Sequence, residues 1–179
     1  MLVDLADIPG CVLVDLRLAH DDRGDFVKLY QRSRFAADGM DPTIAEVFLS
    51  RSAPGVVRGL HFQTPPHDHA KTVSCLQGSV VDVVVDLRVD SPTYAHHACV
   101  VLDGAAPAAL HVPRGCAHGF QATADAWMAY LVSTEHAPDH DTGIRWDSAG
   151  IAWPIPEPVV SERDRALPAL PDFVSPFRL

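Results

Sequence analysis

The sequence predicts an all-β protein, a sandwich or barrel of short strands with few and short helices. Three observations carry this. Fifteen prolines and eleven glycines are spread along the 179 residues and cut the chain into short pieces. Most of those pieces are rich in β-branched residues, which are stiff at χ1 and suit the pleated surface of a strand. Helical periodicity is weak throughout, and many short strands punctuated by turns are the mark of sandwiches and barrels.

In chain order, strands are expected at residues 11–17, 45–50, 56–62, 72–76, 79–87, 98–102, 109–112 and 127–133. The segment SVVDVVVDL at 79–87 is the strongest, because it is too β-branched for a good helix and only Asp82 interrupts its first apolar run. A strand buried on both faces with one inward carboxylate fits that pattern. The one helical candidate is a turn or two near 33–37. After Trp153 the proline-rich tail lacks periodicity and is expected to wrap the body as irregular chain and short turns. With no repeat, low-complexity tract or linker, residues 1–179 read as a single domain.

Hydrophobic residues make up 47 % and charged residues 21 %, ordinary values for a soluble globular protein. A formal net charge of -9 argues against nucleic acid as a partner. It leaves room for an anionic ligand in a pocket built from a few local cations. The cysteines Cys11, Cys75, Cys99 and Cys116 form no CxxC pair, which points to reduced thiols and a cytoplasmic location. The start MLVDLADIPG has early acids and no basic region before an apolar run, so it does not read as a signal peptide. No stretch is apolar enough to span a membrane.

Three histidine-bearing segments are candidates for chemistry. In RGLHFQ at 58–63, alternation turns Leu60 and Phe62 one way and Gly59, His61 and Gln63 the other. A histidine so placed, with Arg58 close by, suits the wall of a cavity, although a core or surface histidine gives the same pattern. The pair His67 and His69 could put two imidazoles on one face, as at the start of many cupin metal sites. Such a site wants a following carboxylate. Residues 70–75 offer none, Lys71 brings an ammonium instead, and Pro65 and Pro66 suggest a loop, so no metal is expected. In VPRGCAHGF at 112–120 a tight turn returns His118 inward as a ligand, a proton carrier or a hydrogen-bonding residue. Asp82 and Asp86 share one face of their strand and suit acid–base work or the orientation of a histidine or arginine. Tyr130, among small and apolar neighbours, reads equally as core.

Together these segments resemble the dTDP-4-dehydrorhamnose 3,5-epimerase family. The likeness begins at DRGDF (22–26) and runs through RGLHFQ, Lys71, VDVVVDLR, VPRGCAHGF and Tyr130. It closes with GIRWD (143–147), Trp153-Pro154 and SERD (161–164). The resemblance implies a cupin or jelly-roll β-barrel, a homodimer and no cofactor. It also implies epimerisation at C3 and/or C5 of a nucleotide-linked 4-keto-6-deoxyhexose. By the same resemblance, His61 is the base, Asp164 orients it, Tyr130 is the acid across the sugar ring and Lys71 lies near the C4 oxygen. Arg58 and His118 line the pocket with Gln63 and Asp82. Arg23, beside Phe26, looks like a diphosphate-binding arginine that in some members reaches across the dimer. Where the family commonly has Q-x-N-x-S, this chain has Glu46, Phe48 and Ser50. A carboxylate cannot donate as an amide does and a phenyl ring stacks instead, so CDP- and GDP-linked sugars stay open. With Lys28 where a glutamate is common after DxRGxF, and Glu135 and His136 where further tyrosines often follow Tyr130, inversion at one centre stays open too. Two other classes also remain: a metal-dependent cupin isomerase or dioxygenase built on His67, His69 and His118, and a non-catalytic sugar-nucleotide-binding cupin.

The chemistry is coherent in itself. A sugar C–H is acidic only beside a carbonyl, and a 4-keto group activates both C3 and C5. A base on one face and an acid on the other invert the carbon, while nearby cations hold the enolate.

Overall fold

The computed structural model describes Met1 and residues 4–179. Its strands are β1 (Val12–Asp15), β2 (Leu18–Asp21), β3 (Gly24–Val27), β4 (Glu46–Ser52), β5 (Val57–Gln63), β6 (Lys71–Gln77), β7 (Ser79–Asp86), β8 (His97–Asp103), β9 (Ala108–Val112), β10 (Cys116–Ala122), β11 (Ala126–Val132) and β12 (Asp141–Gly143). The α-helices are short: α1 (Arg32–Ala37) and α2 (Glu162–Arg165). One five-stranded sheet runs β1-β9-β6-β11-β4 and a second runs β12-β5-β10-β7-β8, while β2 and β3 form a separate hairpin. This is the jelly-roll architecture expected from the sequence. Among the described residues no ladder joins the two sheets, so the body is a sandwich, not a barrel closed by hydrogen bonds.

The faces follow from the side-chain pattern. On β7, Val80 and Val84 enter the core between the sheets, where Val73, Leu110, Phe120 and Met128 meet them. Val83 and Val85 point the other way, into a second cluster with Leu60, Phe62, Ile144 and Phe177. The strand is thus buried on both faces, and Asp82 is fully buried within it. The tail does wrap the body: Trp153, Leu170, Phe173 and Phe177 cover the outer face of the second sheet. Phe35 of α1 and Met40 cover the outer face of the first sheet with Val14 and Leu16.

Two strand sets lie outside those expected. The β2–β3 hairpin is exposed along nearly its whole length and so lacks an apolar alternation to read. Strand β12 has three residues, held by its pairing of Asp141, Thr142 and Gly143 with Gln63, Phe62 and His61.

Candidate active site

A cavity of about 350 Å³ opens between the two sheets. One wall comes from β5 and β10, the other from β4, β6 and β11.

The β5 wall depends on a bulge. His118 of β10 pairs with His61, but Phe120 pairs with Arg58, so β5 carries one extra residue over that span. Strict alternation would have turned Arg58 to the side of Leu60 and Phe62. The extra residue turns it into the cavity beside His61. Gly59, at φ +124°, makes the close approach possible: a Cβ there would stand 2.7 Å from Gly119 Cα, and one on Gly119 would stand 2.5 Å from the Arg58 carbonyl oxygen.

His61 is held from behind. Its Nε2 lies 2.7 Å from Asp164 Oδ1, and the Gly59 N–H donates to Asp164 Oδ2 at 3.1 Å. Asp164 sits on α2, whose N-terminus is capped by the Ser161 hydroxyl. The tail therefore carries this carboxylate back across the sequence to β5. Burial alone would raise the Asp164 carboxyl. Hydrogen bonds from His61 and Gly59 outweigh that and hold it below its ordinary value, so it is a carboxylate at neutral pH. With Nε2 engaged, Nδ1 is the His61 nitrogen left to take a proton.

On the opposite sheet, Tyr130 lines the same cavity. Burial pushes its phenol up, so it stays protonated at neutral pH. Its oxygen lies 3.1 Å from Ser50 Oγ. Its ring stacks on Phe48 at 4.6 Å and 10°, and the His118 ring stands edge-on to it at 6.4 Å. His118 Nε2 is in turn bound to the buried Asp82 carboxylate at 2.9 Å. Burial pushes Asp82 up while His118 and Lys71 oppose it.

Lys71 also faces the cavity and donates to the His61 carbonyl oxygen at 3.0 Å. Burial pulls its ammonium down to about 8, with Asp141 and Asp82 pulling the other way. Arg58 is steadied by Ser52 Oγ and the Arg51 carbonyl. Arg163, beside Asp164 on α2, adds a third cation and pairs with Asp141 at 2.8 Å. Glu46 and Asp141 line the same cavity, so cations and acids face it together.

The structure places His61, Lys71, Tyr130, Arg58, His118, Glu46, Phe48, Ser50 and Gln63 around one cavity, with Asp164 and Asp82 directly behind it. Two of these are committed elsewhere. The Gln63 amide donates to the His67 carbonyl and accepts from the Ala137 N–H, and Glu46 accepts from the His136 N–H. Both tie loops at the rim. Arg23 and Phe26 are not brought to this cavity. They lie on the exposed β2–β3 hairpin, with Arg23 paired to Asp21. Sequence reasoning passes over Arg163 and Asp141 at the rim, where His136, one of the departures from the family's tyrosines, also stands. For Arg163 the signal is its place next to Asp164.

The histidines of the HxH segment go separate ways. His67 packs its ring on His140, and His69 Nδ1 meets the Gln63 amide. Burial first, then Lys71 and Arg114, pulls His69 down to about 3. Among the described residues no three His, Cys, Asp or Glu side chains are grouped to hold a metal ion.

A sandwich of two antiparallel sheets, with a cavity between them lined by histidines, cations, acids and aromatic rings, defines the class: a cupin-like jelly roll with a small-molecule site. The family model for dTDP-4-dehydrorhamnose 3,5-epimerase matches residues 6–172, and the chain belongs to that family. It is 44 % identical over 168 residues to a dTDP-4-dehydrorhamnose 3,5-epimerase of Streptomyces griseus, covering 91 % of this chain and 84 % of the relative. The structure of a Legionella pneumophila dTDP-6-deoxy-D-glucose-3,5-epimerase in complex with dTDP-4-keto-L-rhamnose superposes with a TM-score of 0.91 at 31 % identity, covering 96 % of this chain and 95 % of that one. A 3'-monoepimerase from Streptomyces bikiniensis in complex with dTDP-quinovose gives 0.86 at 32 % identity, covering 94 % and 88 %.

Proposed function

We propose that this cavity epimerises a nucleotide-linked 4-keto-6-deoxyhexose at C3 and/or C5, with dTDP-4-dehydro-6-deoxyglucose as the model substrate. The observation that carries the reading is the meeting of a carboxylate-backed imidazole and a protonated phenol from opposite sheets at one cavity. His61 Nδ1 removes the proton from the carbon beside the C4 carbonyl, and the electron pair moves into the carbonyl oxygen as an enolate. Asp164 stabilises the imidazolium that forms. The Lys71 ammonium donates to the enolate oxygen, where charge develops in a partly desolvated site. Tyr130 then delivers its proton to the other face of the carbon, which inverts it. Solvent afterwards takes the His61 proton and restores that of Tyr130. Arg58 and Arg163 suit the diphosphate, and His118, fixed by Asp82, completes the pocket floor.

The same reading treats residues 1–179 as one cytoplasmic domain acting as a homodimer. The β2–β3 hairpin, with Arg23 and Phe26 exposed, is the element suited to reach a second copy's cavity and supply a further cation there.

Turnover of dTDP-, CDP- and GDP-linked 4-keto-6-deoxyhexoses in deuterium oxide tests the reading by label uptake beside C4. His61→Ala and Tyr130→Phe should each cost at least about two orders of magnitude in inversion while ligand binding persists. Unchanged turnover in both variants would remove the mechanism.

A further inference from the structure

Strand pairing sets Phe48 of β4 directly opposite Tyr130 of β11. Their rings lie 4.6 Å apart and only 10° from parallel. Ser50, on the same face of β4 two residues on, meets the phenol oxygen at 3.1 Å. These contacts bear on one degree of freedom. Rotation about the second side-chain torsion of a tyrosine leaves its oxygen in place, so the first torsion alone decides where the phenol proton is offered. Swinging that torsion would break the stack at one face and the hydrogen bond at the tip together. The edge-on His118 ring flanks the phenol as well.

The carbons at C3 and C5 lie on opposite sides of C4. A phenol that serves both must move between deliveries, or the sugar must. We propose that Phe48 is a positioning residue that holds the Tyr130 phenol at one point, so that this chain inverts only one of the two carbons flanking the ketone. An amide at position 48, common in the family this chain resembles, offers no ring to stack on. The same scaffold occurs with a 3,5-epimerase name and with a 3'-monoepimerase name, so the fold alone does not set the count. The inference rests on the proton-transfer reading above. His61 acting alone can exchange either carbon with retention, so product stereochemistry, and not label uptake, tells one inversion from two.

The experiment follows product configuration at both centres by proton NMR in deuterium oxide for wild type, Phe48→Asn, Phe48→Leu and Phe48→Tyr. Phe48 is 42 % exposed, so these substitutions leave the core intact, and Phe48→Leu keeps apolar bulk without a stacking face. Wild type should give a singly inverted product. Inversion of the second centre relative to the first should rise several-fold in Phe48→Asn and Phe48→Leu, and Phe48→Tyr should restore the wild-type ratio. Wild type inverting both carbons at similar rates, or a ratio untouched in Phe48→Asn, would overturn the proposal while label uptake kept the epimerase reading standing. Wild type taking up no label from any of the nucleotide sugars would instead overturn that reading, and this inference with it.

Discussion

Replacing Asp164 by asparagine removes one charge, nearly keeps the shape, and poses a problem the amide cannot solve. The carboxylate accepts from two directions, from His61 Nε2 at 2.7 Å and from the Gly59 N–H at 3.1 Å. An asparagine has one accepting oxygen. Aimed at His61, it turns its own N–H groups against Gly59. Aimed at Gly59, it donates to Nε2 and forces the His61 proton onto Nδ1, the nitrogen needed as the base. The loss of a charge-assisted bond is about 1.5–3 kcal/mol, or about 10- to 150-fold in rate at 1.36 kcal/mol per decade. The tautomer shift adds to that. The assay is the initial rate of deuterium uptake beside C4 at saturating substrate, with thermal melts as a control. The native carboxyl titrates below its ordinary value, so its stability contribution is present above the unfolded-state value and is lost as pH falls through the native one. The asparagine variant should lack that acid-dependent part of the melting curve. An Asp164→Asn enzyme that takes up label at the wild-type rate would refute the dyad.

Two further outcomes follow from the same geometry. With Lys71 pulled down to about 8 by burial, kcat/KM should fall as pH rises through that value, because the neutral amine no longer holds the enolate. Lys71→Met should lack this limb and run about 10²- to 10³-fold slower, and an alkaline limb surviving in that variant would assign the titration elsewhere. Gly119→Ala places a Cβ 2.5 Å from the Arg58 carbonyl oxygen and 2.9 Å from Leu60 Cδ2. The variant should lose about 1–3 kcal/mol in urea unfolding together with most activity, and an unchanged midpoint would mean that β5 and β10 approach less closely than described.

How much of this is legible in the sequence depends on the range of the interaction. The two-sided burial of β7 can be read because it is a local pattern: the valines on either face need no knowledge of their partners. The β5 bulge cannot, because alternation assumes an uninterrupted ladder. The only trace of the extra residue in the sequence is a pair of glycines, Gly59 and Gly119, whose meeting is a tertiary fact. The same limit hides the rim. Arg163 is steadied by Asp141, and Glu46 by the backbone of His136, partners brought together only when the tail and the 133–140 loop fold back. Asp164 is reached only through a family resemblance, since nothing in its spacing points to His61.

The placement of groups on two sheets is itself a chemical argument. An enolate is flat at the carbon being inverted, so the proton must leave from one face and return to the other. A single sheet offers its ligand one face only. A sandwich offers two walls, and here His61 comes from β5 in one sheet while Tyr130 comes from β11 in the other. Each wall is then stiffened differently. On the proposed mechanism, His61 is braced by a carboxylate that becomes more useful as the imidazole charges, and Tyr130 by a ring and a hydroxyl that hold a neutral donor still. A base needs electrostatic support at the moment it gains a proton, whereas an acid that must hit one carbon needs aim. On these proposed roles, the two braces differ in kind as the two tasks do.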